Sequence, residues 1–154
     1  MTTAQEIFDT AMGLMDEVNE QSGATDTADT REYKNRTLFI LNVLRGELYP
    51  YSDTYRQALK ETEDGKRPIV GIISDFDSAI ALDDYICQSV MPYGLAAHLL
   101  LDENPTAASF FNQRYEELKA GLSRGLPTMS EDIVDVYSCD NWGGGLRYNE
   151  FSRW

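Results

Sequence analysis

Two aspartates one residue apart, Asp75 and Asp77, close an apolar run that begins at Ile69 and Val70 and continues through Ile72 and Ile73. Carboxylates so paired are candidates for nucleophilic or metal-assisted chemistry. Carboxylates are dense on either side: residues 61–84 hold seven Asp or Glu against two Lys or Arg. Their spacing is not the alternating Asp-x-Asp-x-Asp-Gly of a calcium loop, which ends on a Glu twelve residues from its start. A solvated acidic loop accounts for them. His98, the only histidine, has no His or Cys three or four residues away, which leaves it without metal-ligand spacing. No GxxxxGK or GxGxxG cradle for phosphate is present. Cys87 and Cys139 form no CxxC pair and read as free thiols of a reducing compartment.

The Asp-x-Asp run resembles the first motif of haloacid-dehalogenase-like phosphatases. That resemblance would make Asp75 the nucleophile that attacks phosphorus and Asp77 the group that handles the leaving-group proton, with Mg²⁺ held between carboxylates. The elements needed to position it are missing. A doubly wound sheet requires further apolar strands alternating with helices after the motif, and none are visible downstream. Asp83 and Asp84 follow too closely to serve as a later metal-binding pair. Asp75, Asp77 and Asp83 therefore read as turn and helix-cap residues, and no catalytic residue, metal or cofactor is expected.

What does recur is the helical period. Thr3 and Glu6 form a capping box ahead of Ile7, Phe8, Ala11, Leu14, Met15 and Val18, which share one helical face. After the polar stretch QSGATDTAD, a second capping box of Asp29 and Glu32 opens the stripe Tyr33, Thr37, Ile40, Leu41, Leu44 and Leu48. That helix should stop near Tyr49, because Pro50 disfavours helical geometry in the residue before it. A polar connection with one helical turn around Tyr55 to Leu59 follows, then the apolar run at residues 69–73, which has the β-branched character of a short strand. A helix is predicted over Asp83 to Leu101, kinked by Pro92 and Gly94. Asn104-Pro105 starts another, with Ala108, Phe111, Tyr115, Leu118 and Leu122 on its inner side. The expected fold is all-α: a small bundle of about four amphipathic helices over residues 1–122, an irregular acidic loop, and an extended C-terminal tail over residues 123–154.

The chain has 154 residues, 42% of them hydrophobic and 25% charged, which suits one globular domain. Its formal charge of −13 argues against gripping nucleic acid or an anionic membrane, both of which need clustered Lys and Arg. No apolar run reaches the ~18 residues of a membrane span, and MTTAQEIFDT lacks the basic and apolar regions of a signal peptide.

The stretch from Leu82 to Leu122 resembles the C-terminal helical half of head–tail connector (adaptor) proteins of tailed phages and prophages. The resemblance lies in Leu82-Asp83-Asp84, in Pro92 to Ala97, in the acidic turn Asp102 to Pro105, and in Gln113 to Leu118. It implies a mainly helical, non-enzymatic structural subunit. Several copies would form a homo-oligomeric ring beneath the portal protein, contact a tail or head-completion protein, and line a channel through which DNA passes without specific binding. An acidic wall repels phosphate and lets DNA slide. The implied location is the virion, and the host bacterial cytoplasm during assembly. A generic bacterial helical interaction module is the alternative, with the Asp75 phosphatase a more distant one.

The last fifteen residues, DNWGGGLRYNEFSRW, hold both tryptophans and three consecutive glycines. They show neither helical nor strand periodicity, and glycine raises the cost of ordering them. Trp, Tyr and Arg are enriched at interface hot spots. The segment reads as a tether, with a hinge at Gly143, Gly144 and Gly145 and partner-binding anchors at Trp142, Tyr148, Phe151 and Trp154. Deleting residues 141–154 is expected to leave folding unchanged and abolish assembly. A drop in thermal stability would identify the segment instead as a strap over its own bundle.

Overall fold

The structure, a computed structural model, describes residues 1–20, 22–61 and 71–124. It is all-α, as the periodicity predicts. The helices are α1 (Ala4–Met15), α2 (Arg31–Leu48), α3 (Asp53–Glu61), α4 (Met91–Leu99) and α5 (Pro105–Arg124), with a 3₁₀ turn at Tyr49–Tyr51 and a π-helical turn at Ile86–Val90. Among the described residues the only β pairing is a single bridge between Thr3 and Ala79.

Helix α4 lies at the centre, packed by α1, α2 and α5. Its sequence, MPYGLAAHL, is apolar on nearly every face, and Met91, Pro92, Gly94, Leu95, Ala96, Ala97 and Leu99 are all buried. A helix this apolar is stable only when covered on most sides, and of its nine residues only His98 is exposed. Leu95 and Leu99 are fully buried, each worth about 1.5–3 kcal/mol. Gly94 sets how closely the cover can approach. A Cβ there would stand 3.0 Å from Leu44 Cδ2 on α2 and 3.0 Å from the Tyr115 ring on α5.

The predicted inner faces are largely those observed. Ile7, Phe8 and Ala11 of α1 are buried together with Met12, which the stripe had not included. Val18 falls outside α1, which ends when Asp16 turns left-handed at φ 62°. On α5, Ala108, Phe111 and Tyr115 are buried, with Leu118 and Leu122 half-buried. The Thr3–Glu6 capping box forms in both directions: Glu6 N donates to Thr3 Oγ1 at 3.3 Å and Thr3 N to Glu6 Oε2 at 3.0 Å. Asn104 Oδ1 accepts from Ala107 N at 3.1 Å and caps α5.

Four expectations are corrected. The Asp29–Glu32 capping box does not start α2. Thr30 is its N-cap, and no side chain caps it. The Thr30 hydroxyl is turned into the preceding loop, where it donates to Thr25 O at 2.6 Å and accepts from Thr27 N at 2.9 Å. The turn expected at Tyr55 to Leu59 is a nine-residue helix, because Ser52 Oγ accepts from Tyr55 N at 3.1 Å and starts it earlier. The helix predicted over Asp83 to Leu101 passes through a π-helical turn before α4. Pro92 has no N–H to give the helical ladder, and the register shifts so that Met91 N bonds Ile86 O, five residues back. Residues 71–73 form no strand; residues 62–70, with Ile69 and Val70, lie outside the described residues.

Polar pairs fasten the ends of the bundle. Glu47 on α2 accepts from Tyr115 Oη at 3.0 Å and from Lys119 Nζ, both on α5. Burial alone would raise the Glu47 pKa, but the bonds from Lys119 and Tyr115 outweigh it and hold the carboxyl below its usual range. Tyr33 donates to Glu103 and ties α2 to the turn before α5. Gly94→Val is expected to cost about 1–3 kcal/mol through overpacking, read as a lower thermal midpoint. Gly13→Ala, at an exposed helical site with nothing within 4 Å of the new Cβ, should instead stabilise by about 0.5–1 kcal/mol.

Candidate functional site

The Asp-x-Asp segment turns out to cap and lace rather than gather into a site. Phe76 O accepts from Gln5 N at 3.0 Å and Ser78 O from Ala4 N at 3.3 Å, so the turn satisfies amides in the first turn of α1. Between the two aspartates, Phe76 packs edge-on against Phe8 with ring centroids 6.0 Å apart, and Lys34 Nζ stands 5.1 Å from the Phe76 ring centre. Asp75 and Asp77 are exposed. Hydrogen bonding to Ser78 and Ser74 holds the Asp75 carboxyl below its ordinary range, as in a turn aspartate. Further on, Ile80 N donates to Thr2 O at 2.9 Å, Asp83 Oδ2 accepts from Asp53 N at the start of α3, and Asp84 Oδ1 accepts from both Thr2 N and Thr2 Oγ1.

Among the described residues, no three His, Cys, Asp or Glu side chains are gathered so as to hold a metal ion. His98 is exposed. The Cys87 thiol is buried and pushed up to about 12, by desolvation and then by Asp84 and Asp83. The anchors Trp142, Tyr148, Phe151 and Trp154, the hinge Gly143, Gly144 and Gly145, and Cys139 all lie outside the described residues.

The feature best suited to recognition is a groove of about 480 Å³ between the outer side of α2 and residues 71–74. Asn42 builds it. Its amide Nδ2 donates to Ile73 O at 3.0 Å and its Oδ1 accepts from Ile73 N at 2.9 Å, fixing residues 71–74 alongside the helix. Ile73 then points into the core, and Ile72 stays 85% exposed. Across the groove Phe39 is 77% exposed, with Val43 one turn further on also exposed. At its base lies Arg45, only 5% exposed. The Arg45 Nε has no hydrogen-bond partner, and no carboxylate forms an ion pair with the guanidinium among the described residues. Desolvation pushes its pKa down, partly offset by Tyr49.

Sequence reasoning missed this groove, although its signals are there to read. Phe39 and Val43 are apolar residues four apart that fall off the Tyr33–Leu48 stripe, and Arg45 stands on the stripe, four residues after Leu41. Leu101, in the turn after α4, and Phe110, on α5, are also exposed apolar residues and lie outside this groove.

A buried guanidinium that lacks an ion pair and a partner for Nε costs stability, and an apolar side chain of similar length removes that cost. Arg45→Met is therefore expected to raise the unfolding free energy by about 1 kcal/mol or more, measured by urea titration. A loss of stability would instead make Arg45 a structural residue.

No helix among the described residues is long and apolar enough to cross a membrane. Compared with protein-family models, with curated proteins and with solved structures, the chain returns no match.

Proposed function

We propose that this chain is a structural subunit of a tailed phage or prophage, a head–tail connector that forms a ring beneath the portal and lines the DNA channel. The observation that carries the reading is the Leu82–Leu122 stretch, whose resembling segments serve packing, capping and hydrogen bonding within the fold. Asp83 and Asp84 fasten α3 and the N-terminus. Pro92 to Ala97 is the buried centre with its close approach at Gly94. Asn104 caps α5, and Tyr115 reaches Glu47. A sequence pattern tied to packing suits a protein whose work is assembly.

Two further features support it. A head-to-tail ring needs two unlike surfaces on each subunit, and besides the Phe39–Ile72 groove this chain exposes Leu101 and Phe110 outside it. The excess of 26 acidic over 13 basic residues suits a wall that must not hold DNA. The tail anchors would then reach a neighbouring component.

Mixed with the portal protein encoded beside it, the chain is expected to give a ring-on-ring complex in electron micrographs. Absence of that complex, together with neighbouring genes that encode no portal or capsid, overturns the reading in favour of a helical interaction module, which the open groove alone would also suit.

A further inference from the structure

The groove on α2 has the features of a receptor for an extended peptide, and they are independent of one another. Gly46 and Gly71 leave the way to Arg45 open: a Cβ on Gly46 would meet nothing within 4 Å, and one on Gly71 would meet only Arg45 Nη2, at 3.8 Å. Asn42 occupies the backbone groups of Ile73, while those of Ile72 have no backbone partner among the described residues. An exposed N–H and C=O on an extended segment is the edge to which an added strand binds. Phe39 and Ile72 supply apolar walls, and Arg45 supplies a buried cation that lacks an anion. The complementary occupant is an extended segment with a carboxylate two residues from an aromatic ring, because residues two apart share one face of an extended chain.

This chain carries that spacing of aromatic and carboxylate in Tyr148-Asn149-Glu150-Phe151. We propose that the groove receives residues 147–154 of a second copy of this chain, with Glu150 paired to Arg45 and Tyr148 laid against Phe39 and Ile72. Among the described residues nothing covers Phe39 and Ile72, at 77% and 85% exposure, which leaves the groove open to a second copy. Reach is sufficient: residues 125–147 extend up to roughly 80 Å, against a radius of gyration of about 15 Å for a folded chain of this length. Specificity follows from the charge balance. Copies at −13 repel in general, so a carboxylate from a neighbour is welcome only where a desolvated guanidinium waits, and a bidentate Arg–carboxylate pair is the geometry that suits it. The proposal does not rest on the phage assignment, and the portal experiment can fail without touching it.

Both tryptophans, Trp142 and Trp154, lie in or beside the docking segment and nowhere else in the chain, so their emission reports its surroundings. In the full chain, raising the concentration is expected to shift tryptophan emission to shorter wavelength in step with a rise in mass by sedimentation. Phe39→Asp and Glu150→Gln should each weaken that association by about tenfold or more. Arg45→Glu should abolish it, and combining Arg45→Glu with Glu150→Arg should restore it. Phe39→Asp and Glu150→Gln change an exposed side chain and a tail residue, so they remain informative if Arg45→Glu misfolds. Emission and mass that do not change with concentration overturn the proposal. So does association that survives both Phe39→Asp and Glu150→Gln. A short-wavelength emission already present in the monomer places the segment on its own chain and likewise overturns it.

Discussion

The fold depends on covering α4. Seven of its nine residues are buried and only His98 is exposed, so one layer of partners is not enough to hide it. Helices α1, α2 and α5 must all reach it, and at Gly94 both α2 and α5 come so close that a Cβ would stand 3.0 Å from Leu44 and from Tyr115. The rest of the architecture answers that demand. The Glu47 cluster fastens α2 to α5 near one end, and Tyr33 with Glu103 holds α2 to the turn at the other. Pro92 adds a constraint of its own. It begins the buried helix without an amide to donate, and the π-helical turn before it takes up the lost register.

Residues 71–84 are the second organising element, although they have almost no regular structure. They run past α2, the start of α1, the N-terminus and the start of α3, making a hydrogen bond at each: Ile73 to Asn42, Phe76 to Gln5, Ile80 to Thr2, Asp83 to Asp53. The orphan amides of helix starts need acceptors, and here carbonyls and carboxylates of an irregular segment provide them. That explains why an Asp-x-Asp pair can sit in a chain without the phosphatase scaffold its pattern suggests. Short aspartates are good turn formers and good caps, so the same residues suit lacing and catalysis. Only the surrounding elements distinguish the two.

What could be read from the sequence followed the same division. Amphipathic stripes and the Thr3–Glu6 capping box are local, and they located α1, α2 and α5 along with most of the core. Thr30 shows where local reading stops. Asp29 had the right spacing to Glu32, but the Thr30 hydroxyl found a carbonyl in the loop, and the helix start followed Thr30. The role of residues 71–84 depends on partners up to 82 residues away, as in Asp84 with Thr2, and no period signals such a pairing. The groove was hidden for another reason. Its walls come from an off-stripe pair on α2 and from Ile72, which a strand reading of residues 69–73 treats as part of the core.

Arg45 then poses a physical question that packing does not answer. A guanidinium beside Leu41, Leu44 and Leu48 gives up hydration, and the described residues return neither an ion pair nor a partner for Nε. If folding were the only requirement, Met at this position would fill similar space without the desolvation cost. The cost becomes intelligible if the charge is compensated in another state of the molecule. An incoming carboxylate would gain the strength that a low-dielectric site gives a hydrogen-bonded pair, and the stability forgone by the free chain would return as binding selectivity. In a chain with twice as many acidic as basic residues, a buried cation at the base of an open apolar groove would let one copy attract another at a single place.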